Sequence, residues 1–220
     1  MKVKTDPPQK HTKSLVLLNG SPPPEKLLKD LWESHEIKIC ADGAANYLLK
    51  LGIHPDIIIG DFDSVSGESL QAFSSSKLIR DSDQNTTDSE KAFNYCLSKG
   101  FTNVTVLGGF GDRIDHGLYS LSLIGRYLDL GLEICLYSKT EVIFAIKEKT
   151  TIDGKVGARI SFLPLFGLAS QVRSKGLKWE IGGQDLEFGA MCSISNVIAS
   201  SPVQIEIKVG RLLANVETTI

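Results

Sequence analysis

Hydrophobic positions change rhythm twice along the chain. The first apolar run, Ser14-Leu-Val-Leu-Leu-Asn19, has no polar alternation and reads as a buried strand, stopped by Gly20 and the prolines at 22, 23 and 24. Leu27, Leu28, Leu31 and Trp32 then fall at helical spacing, with Trp32 read as a packing residue, and Ile37-Lys-Ile-Cys40 returns to a strand. Tyr47, Leu48 and Leu51 predict a short helix closed by Gly52, and Asp56-Ile-Ile-Ile59 predicts a strand too apolar to have a solvated face. A short strand at Leu78-Ile79 follows, then a helix from about Thr87 to Ser98 and a strand from Val104 to Leu107. A helix through Tyr119 to Leu128 and a strand from Glu133 to Tyr137 complete the alternation. It predicts an α/β domain over residues 14–140, a parallel sheet with helices on both faces. After Ser138 the helical spacing stops. Short strands at Val142 to Ile146, Ala158 to Leu163, Leu186 to Phe188 and Val203 to Val209 predict a small all-β sandwich over 141–220.

Composition narrows the classes of function. Of 220 residues, 42% are hydrophobic and 23% charged, which is the balance of a globular chain rather than a disordered one. Lys and Arg number 24 against 26 Asp and Glu, so the net charge of -2 excludes a basic nucleic-acid coat. No apolar run approaches the roughly 20 residues of a membrane span, so no membrane partner is expected. Residues 1–13 form a polar leader without the apolar stretch of a signal peptide; disorder is expected there, and a cytoplasmic location for the whole. Cys40, Cys96, Cys135 and Cys192 lie far apart in apolar segments and read as buried free thiols.

Position changes the picture that net charge gives. In an open parallel sheet the ligand crevice lies at the carboxyl ends of the strands. Four predicted strands are followed there by Ala41-Asp42-Gly43, by Gly60-Asp61-Phe62-Asp63-Ser64, by Asp81 and Asp83, and by Gly108-Gly109. A single aspartate suits a turn or a helix cap, but recurrence after three strands points to a site. Clustered carboxylates repel each other and any phosphate, and Lys91 and Arg113 are too few to neutralise them. Mg²⁺, a hard ion taking carboxylate, water and phosphate oxygens, resolves the conflict. Asp61 and Asp63 both face such an ion only if their turn leaves regular strand geometry.

Thr87 and Glu90 predict a capping box that starts a helix. Asp88 and Lys91, three apart, then share a face beside backbone N–H groups that favour phosphate; an ordinary surface ion pair is the alternative. Gly108-Gly109-Phe110-Gly111-Asp112-Arg113-Ile114-Asp115-His116 offers close backbone approach and, in Arg113, a bidentate donor to oxyanions.

Taken in order, residues 41–46, 55–64, 83–91 and 108–116 resemble the thiamine pyrophosphokinase family, matching its A-D-G-A-A-N, P-D-x-x-x-G-D-F-D-S, D-Q-x-x-T-D-x-x-K and G-G-x-x-x-R-x-D-H patterns. Gly176-Leu-Lys-Trp179 and the stretch from Phe188 to Asn196 look like motifs of its second domain, and Asp112 departs from the small residue many relatives carry. The resemblance implies transfer of the pyrophosphoryl group of ATP to the hydroxyl of thiamine, releasing AMP. It implies Asp61, Asp63 and Asp88 as catalytic metal holders with Asp42, and Asp83, Gln84, Thr87, Lys91, Gly109, Arg113, Asp115 and His116 on the nucleotide. One carboxylate, Asp61 or Asp88, is expected to accept the hydroxyl proton. Trp179 is expected to stack on the cationic thiazolium, with Ser193, Ser195 and Asn196 lining the same pocket and a homodimer completing the site. A core role for Trp179 is the composition-based alternative.

Two rival readings exist. Ile57-Ile58-Ile59-Gly60-Asp61-Phe62-Asp63-Ser64-Val65 also looks like the nucleophile motif of a haloacid-dehalogenase-type phosphatase, with Asp61 attacking. A non-catalytic thiamine or nucleotide sensor is the other. His11 falls in the leader, His35 and His54 read as surface or turn residues, and His116 as an orienting or helix-start residue.

Overall fold

A computed structural model describes Val3, Lys4 and residues 13–218. Within the polar leader, Val3–Lys4 forms a two-residue strand, β1; the expectation of disorder for the rest of the leader, and His11, lie outside the described residues. The chain forms two compact units, Lys10–Lys139 and Thr140–Ile220, β1 belonging with the second.

In the first unit the order is β2 (Ser14–Leu17), α1 (Glu25–Ser34), β3 (Ile37–Ala41), α2 (Ala44–Leu51), β4 (Ile57–Gly60), α3 (Gly67–Ala72), β5 (Lys77–Arg80), α4 (Asp88–Ser98), β6 (Asn103–Leu107), α5 (Ile114–Asp129) and β7 (Glu133–Tyr137). The strands lie side by side as β7-β6-β2-β3-β4-β5, all parallel. From β2 the chain steps outward to β5 and then returns across the sheet to β6. Because crossovers are right-handed, this reversal sends α1 to α3 to one face and α4 and α5 to the other. The side chains agree. Leu15, Leu17, Cys40 and Ile58 join Leu28, Trp32, Ala45 and Leu48 of α1 and α2 in one core cluster. The alternate residues Val16, Ile39 and Val106, equally buried, point to the opposite face. There α4 lies against β3 and β4, α5 against β7, and the Phe93 and Tyr127 rings meet edge to face with centroids 5.2 Å apart.

Two features of this unit differ from the sequence expectation. Helix α3 is absent from the hydrophobic pattern because its six residues make fewer than two turns, too short for a periodicity to show; Ser66 caps it, accepting from Ser69 N at 3.1 Å. His35 is half-buried rather than fully on the surface: its ring lies between Leu31 O at 2.6 Å and Thr105 Oγ1 at 2.8 Å, tying the end of α1 to β6. His54 is an exposed turn residue as expected.

The second unit is an antiparallel sandwich of β8 (Glu141–Ile146), β9 (Lys149–Ile152), β10 (Arg159–Leu163), β11 (Ala169–Lys175), β12 (Gly182–Leu186), β13 (Ser193–Val197), β14 (Val203–Glu206) and β15 (Leu212–Glu217). One layer runs β13-β10-β15-β8 and the other β1-β9-β14-β11-β12. The strand expected at Leu186 to Phe188 lies earlier, as β12. Strands β11 and β13 have mostly polar sequences, with apolar anchors such as Ala169 and Val172 that are too few to read as alternation. All four cysteines are free, but only Cys40 and Cys96 are buried; Cys135 and Cys192 are partly exposed.

Candidate active site

The strand order reverses between β2 and β6, and their carboxyl-end loops run in contact. Leu18 N donates to Leu107 O at 2.8 Å, Gly20 N to Gly108 O at 2.9 Å and Ser21 N to Phe110 O at 2.6 Å. Glycine is required on both sides. A Cβ on Gly20 would meet the carbonyl oxygens of Gly108 and Phe110 at 2.3 Å, and Gly108 has φ +69° with Leu18 O 2.2 Å from any Cβ. A hollow of about 600 Å³ opens at this switch point, walled by Asn19, Gly20, Ser21, Ser64, Thr87, Asp88, Gly109, Arg113, His116 and Ser120, among others. Such a crevice is where open α/β sheets bind ligands.

Beside the hollow stands the acidic group. Carboxylate oxygens of Asp42, Asp61 and Asp63 lie within 4.8 Å of one another. Two backbone devices bring them together. Phe62 at φ 68° turns the chain so that Asp61 and Asp63 face one place, meeting the condition that the sequence left open. Asp42 at φ 38° closes against Gly60, where a Cβ would lie 2.7 Å from Asp42 Cβ. Asp42 is 1% exposed; its Oδ2 accepts from Ser64 N at 3.2 Å, and its Oδ1 has no hydrogen-bond partner. Burial pushes the Asp42 pKa up to about 6, the Ser64 N–H opposing and Asp88 and Asp63 adding to the rise. Asp61 is held below the ordinary carboxylate range by the Asp63 N–H at 3.2 Å and by Gln84 Nε2, also at 3.2 Å. A buried oxygen with no donor and two further carboxylates make a hard, all-oxygen set, which fits Mg²⁺.

Asp88 stands outside the three but is near enough to repel them, and burial raises its pKa against the pull of Lys91, whose Nζ lies 3.5 Å away. Lys91 is buried and does not line the hollow; its ammonium faces Asp88. Asp83 and Gln84 also lie off that wall: Asp83 accepts from Asn85 N at 2.9 Å, and Gln84 serves Asp61. Thr87 is on the wall, yet both its donors go to Glu90 Oε2, N at 3.0 Å and Oγ1 at 3.2 Å. Arg113 makes a bidentate pair with Asp115, at 2.6 and 3.2 Å, both exposed. Asp115 borders a smaller adjoining hollow, of about 310 Å³, with His116 and Tyr119. The sequence reading missed Asn19, Ser21 and Ser120. Asn19 and Ser21 follow the first strand, which obeys the same carboxyl-end rule as the four strands that carry the acidic and glycine-rich loops. Ser120, which donates to Gly109 O at 3.0 Å, carries no such signal.

The sandwich holds a separate hollow of about 250 Å³, lined by Trp179, Glu180, Ile181, Gln184, Leu186, Met191, Cys192, Ser193, Ile194 and Asn196. Trp179 is 56% exposed, which removes the core alternative. Its backbone is pinned by buried Asn196, which accepts from Trp179 N at 3.2 Å and donates to Trp179 O at 2.7 Å and Ser193 Oγ at 3.2 Å. Asn196 therefore fixes the backbone that carries the indole and, with Ser193, borders the hollow. Ser195 does not line it. The β10–β13 pairing slips between Ile160 and Phe162, and Ser195 at φ 56° leaves strand alternation, its N–H donating to Ser161 Oγ at 3.0 Å.

Among the described residues, no helix is long and apolar enough to cross a membrane. Residues 28–136 match the family model of the thiamin pyrophosphokinase catalytic domain, and residues 147–212 that of its vitamin B1 binding domain. Thiamin pyrophosphokinase 1 of Caenorhabditis elegans is 29% identical over 205 residues, covering 86% of this chain and 82% of the relative. Thiamine pyrophosphokinase 2 of Arabidopsis thaliana is 27% identical over 222 residues, covering 88% and 82%. In fold, the chain is similar to thiamin pyrophosphokinase from Candida albicans, with a TM-score of 0.84 at 22% identity over 96% of this chain and 90% of that one. The phosphatase reading of Asp61 falls with these matches. With both of that family's domains found here in order, the chain belongs to the thiamin pyrophosphokinase family.

Proposed function

We propose that this chain performs its family's reaction, transfer of pyrophosphate from ATP to thiamine, with Asp42, Asp61, Asp63 and Asp88 holding Mg²⁺ against the polyphosphate. The observation that carries this reading is the convergence of three carboxylates, one with a buried partnerless oxygen, beside a hollow at the sheet's switch point. Bound there, the metal neutralises charge on the phosphate oxygens. The chain's own groups do the rest. Arg113 and the loop Gly108 to Asp112 receive the phosphates, and Trp179 presents an indole face to the thiazolium. The thiamine hydroxyl oxygen bonds to the β-phosphorus as the bond to the α,β-bridging oxygen breaks, and AMP leaves with that oxygen. One carboxylate, Asp61 or Asp88, takes the hydroxyl proton; of the two, Asp88 borders the hollow. Phe188, Met191 and Ile194, all exposed near the Trp179 hollow, support a homodimer interface there. Four unbridged thiols suit a reducing, cytoplasmic compartment. The test is AMP release from ATP, which is expected to need both thiamine and Mg²⁺ and to stop on chelation; release indifferent to chelation would overturn the metal assignment.

A further inference from the structure

Glu90 is the buried carboxylate that the reaction itself does not use. Its side chain is 6% exposed, and each oxygen has a different task. Oε2 accepts both donors of Thr87 and so completes the capping box that starts α4, the helix on which Asp88 and Lys91 ride. Oε1 accepts from Arg126 Nη1 of α5 at 2.7 Å. The next residue, Tyr127, sends its hydroxyl to Asn94 Oδ1 at 2.7 Å. The start of α4 supplies Thr87, Asp88 and Ser89 to one wall of the large hollow, and α5 supplies His116 and Ser120 to the other. A buried carboxylate must be paired to remain charged, and here the partners from outside α4, Arg126 and the Tyr119 hydroxyl, both belong to α5, the helix of the opposite wall. We propose that Arg126 is a positioning residue: through Glu90 it ties α5 to the cap of α4 and holds Asp88 where metal and phosphate need it. The inference rests on the metal reading given above.

The test is calorimetric binding of a non-hydrolysable ATP analogue, without thiamine, across a magnesium titration. Glu90→Gln keeps an oxygen for Thr87, because glutamine also forms capping boxes, but loses the charged pair. Arg126 is largely exposed, so Arg126→Gln is expected to fold. Each variant is expected to raise the magnesium concentration for half-maximal binding by about five- to tenfold. The double variant is expected to be no worse than either single one, and Arg126→Lys to restore most of the loss. Wild-type magnesium dependence in both single variants, whatever their melting temperatures, would overturn the inference alone. Magnesium-independent binding by the unaltered chain would overturn the metal reading and this inference with it.

Discussion

The acidic group at the switch point and the Trp179 hollow in the sandwich are organised on opposite electrostatic principles. At the first, carboxylates are crowded together by left-handed turns at Asp42 and Phe62, and one of them is buried with a bare oxygen. That arrangement stores repulsion that a proton on Asp42 or a bound cation relieves. At the second, an exposed indole borders a hollow with apolar walls such as Ile181, Leu186 and Ile194. A ring face with no charge of its own suits an organic cation that must bind and leave. On the function proposed above, the first site would take a hard ion and a polyphosphate, the second a soft, permanently charged heterocycle.

The comparison is broken most forcefully at Asp61. Asp61→Asn is expected to lower thiamine-dependent turnover by about a hundred- to thousandfold or more, with an unchanged circular dichroism spectrum. Near-normal turnover would remove the acidic group from the chemistry. Trp179→Ala is expected to raise the thiamine KM by about two- to thirtyfold, the worth of a cation–π contact, and to leave the ATP KM nearly unchanged. An equal rise in both would deny the division of labour.

Asp42 sharpens the contrast through stability. Its pKa in the fold, about 6, is above the ordinary carboxylate value, so the fold binds this proton more tightly than the unfolded chain does. The associated stability is fully present below about pH 4 and is lost as pH rises through about 6. In metal-free protein Asp42→Asn is thus expected to stabilise by about 1–3 kcal/mol at pH 8 and by nearly nothing at pH 4. Equal denaturation midpoints at both pH values would show that the bare oxygen is not under strain. The smallest effect is expected at Lys178, whose Nζ lies 4.6 Å from the centre of the Trp179 ring and so covers part of an indole face. Lys178→Met is expected to lower the thiamine KM by only about twofold, measured in steady-state assays at low salt.

The same contrast explains what could be read from the chain. Carboxylates at strand ends inherit their place from the parallel sheet, so the hydrophobic pattern located Asp42, Asp61 and Asp63 together before any contact was seen. Asn19 and Ser21 obey the same rule, since they follow the carboxyl end of the first strand. The sandwich offered no such guide. Strands β11 and β13 carry few apolar residues, and the slip at Ser195 undoes the alternation that would have placed it beside Ser193. Trp179 was singled out only through family resemblance, since nothing in local spacing distinguishes an exposed indole from a core one. The tie between Glu90 and Arg126 joins residues 36 apart through a tertiary contact, and only half of it, the capping box with Thr87, was visible locally.

The most direct test of the central claim is the product balance followed by phosphorus NMR when the purified chain is given ATP, Mg²⁺ and thiamine. Equal amounts of AMP and thiamine diphosphate, with no AMP when thiamine is omitted, is the predicted result. ADP or inorganic phosphate in place of AMP, or AMP formed without thiamine, would contradict it.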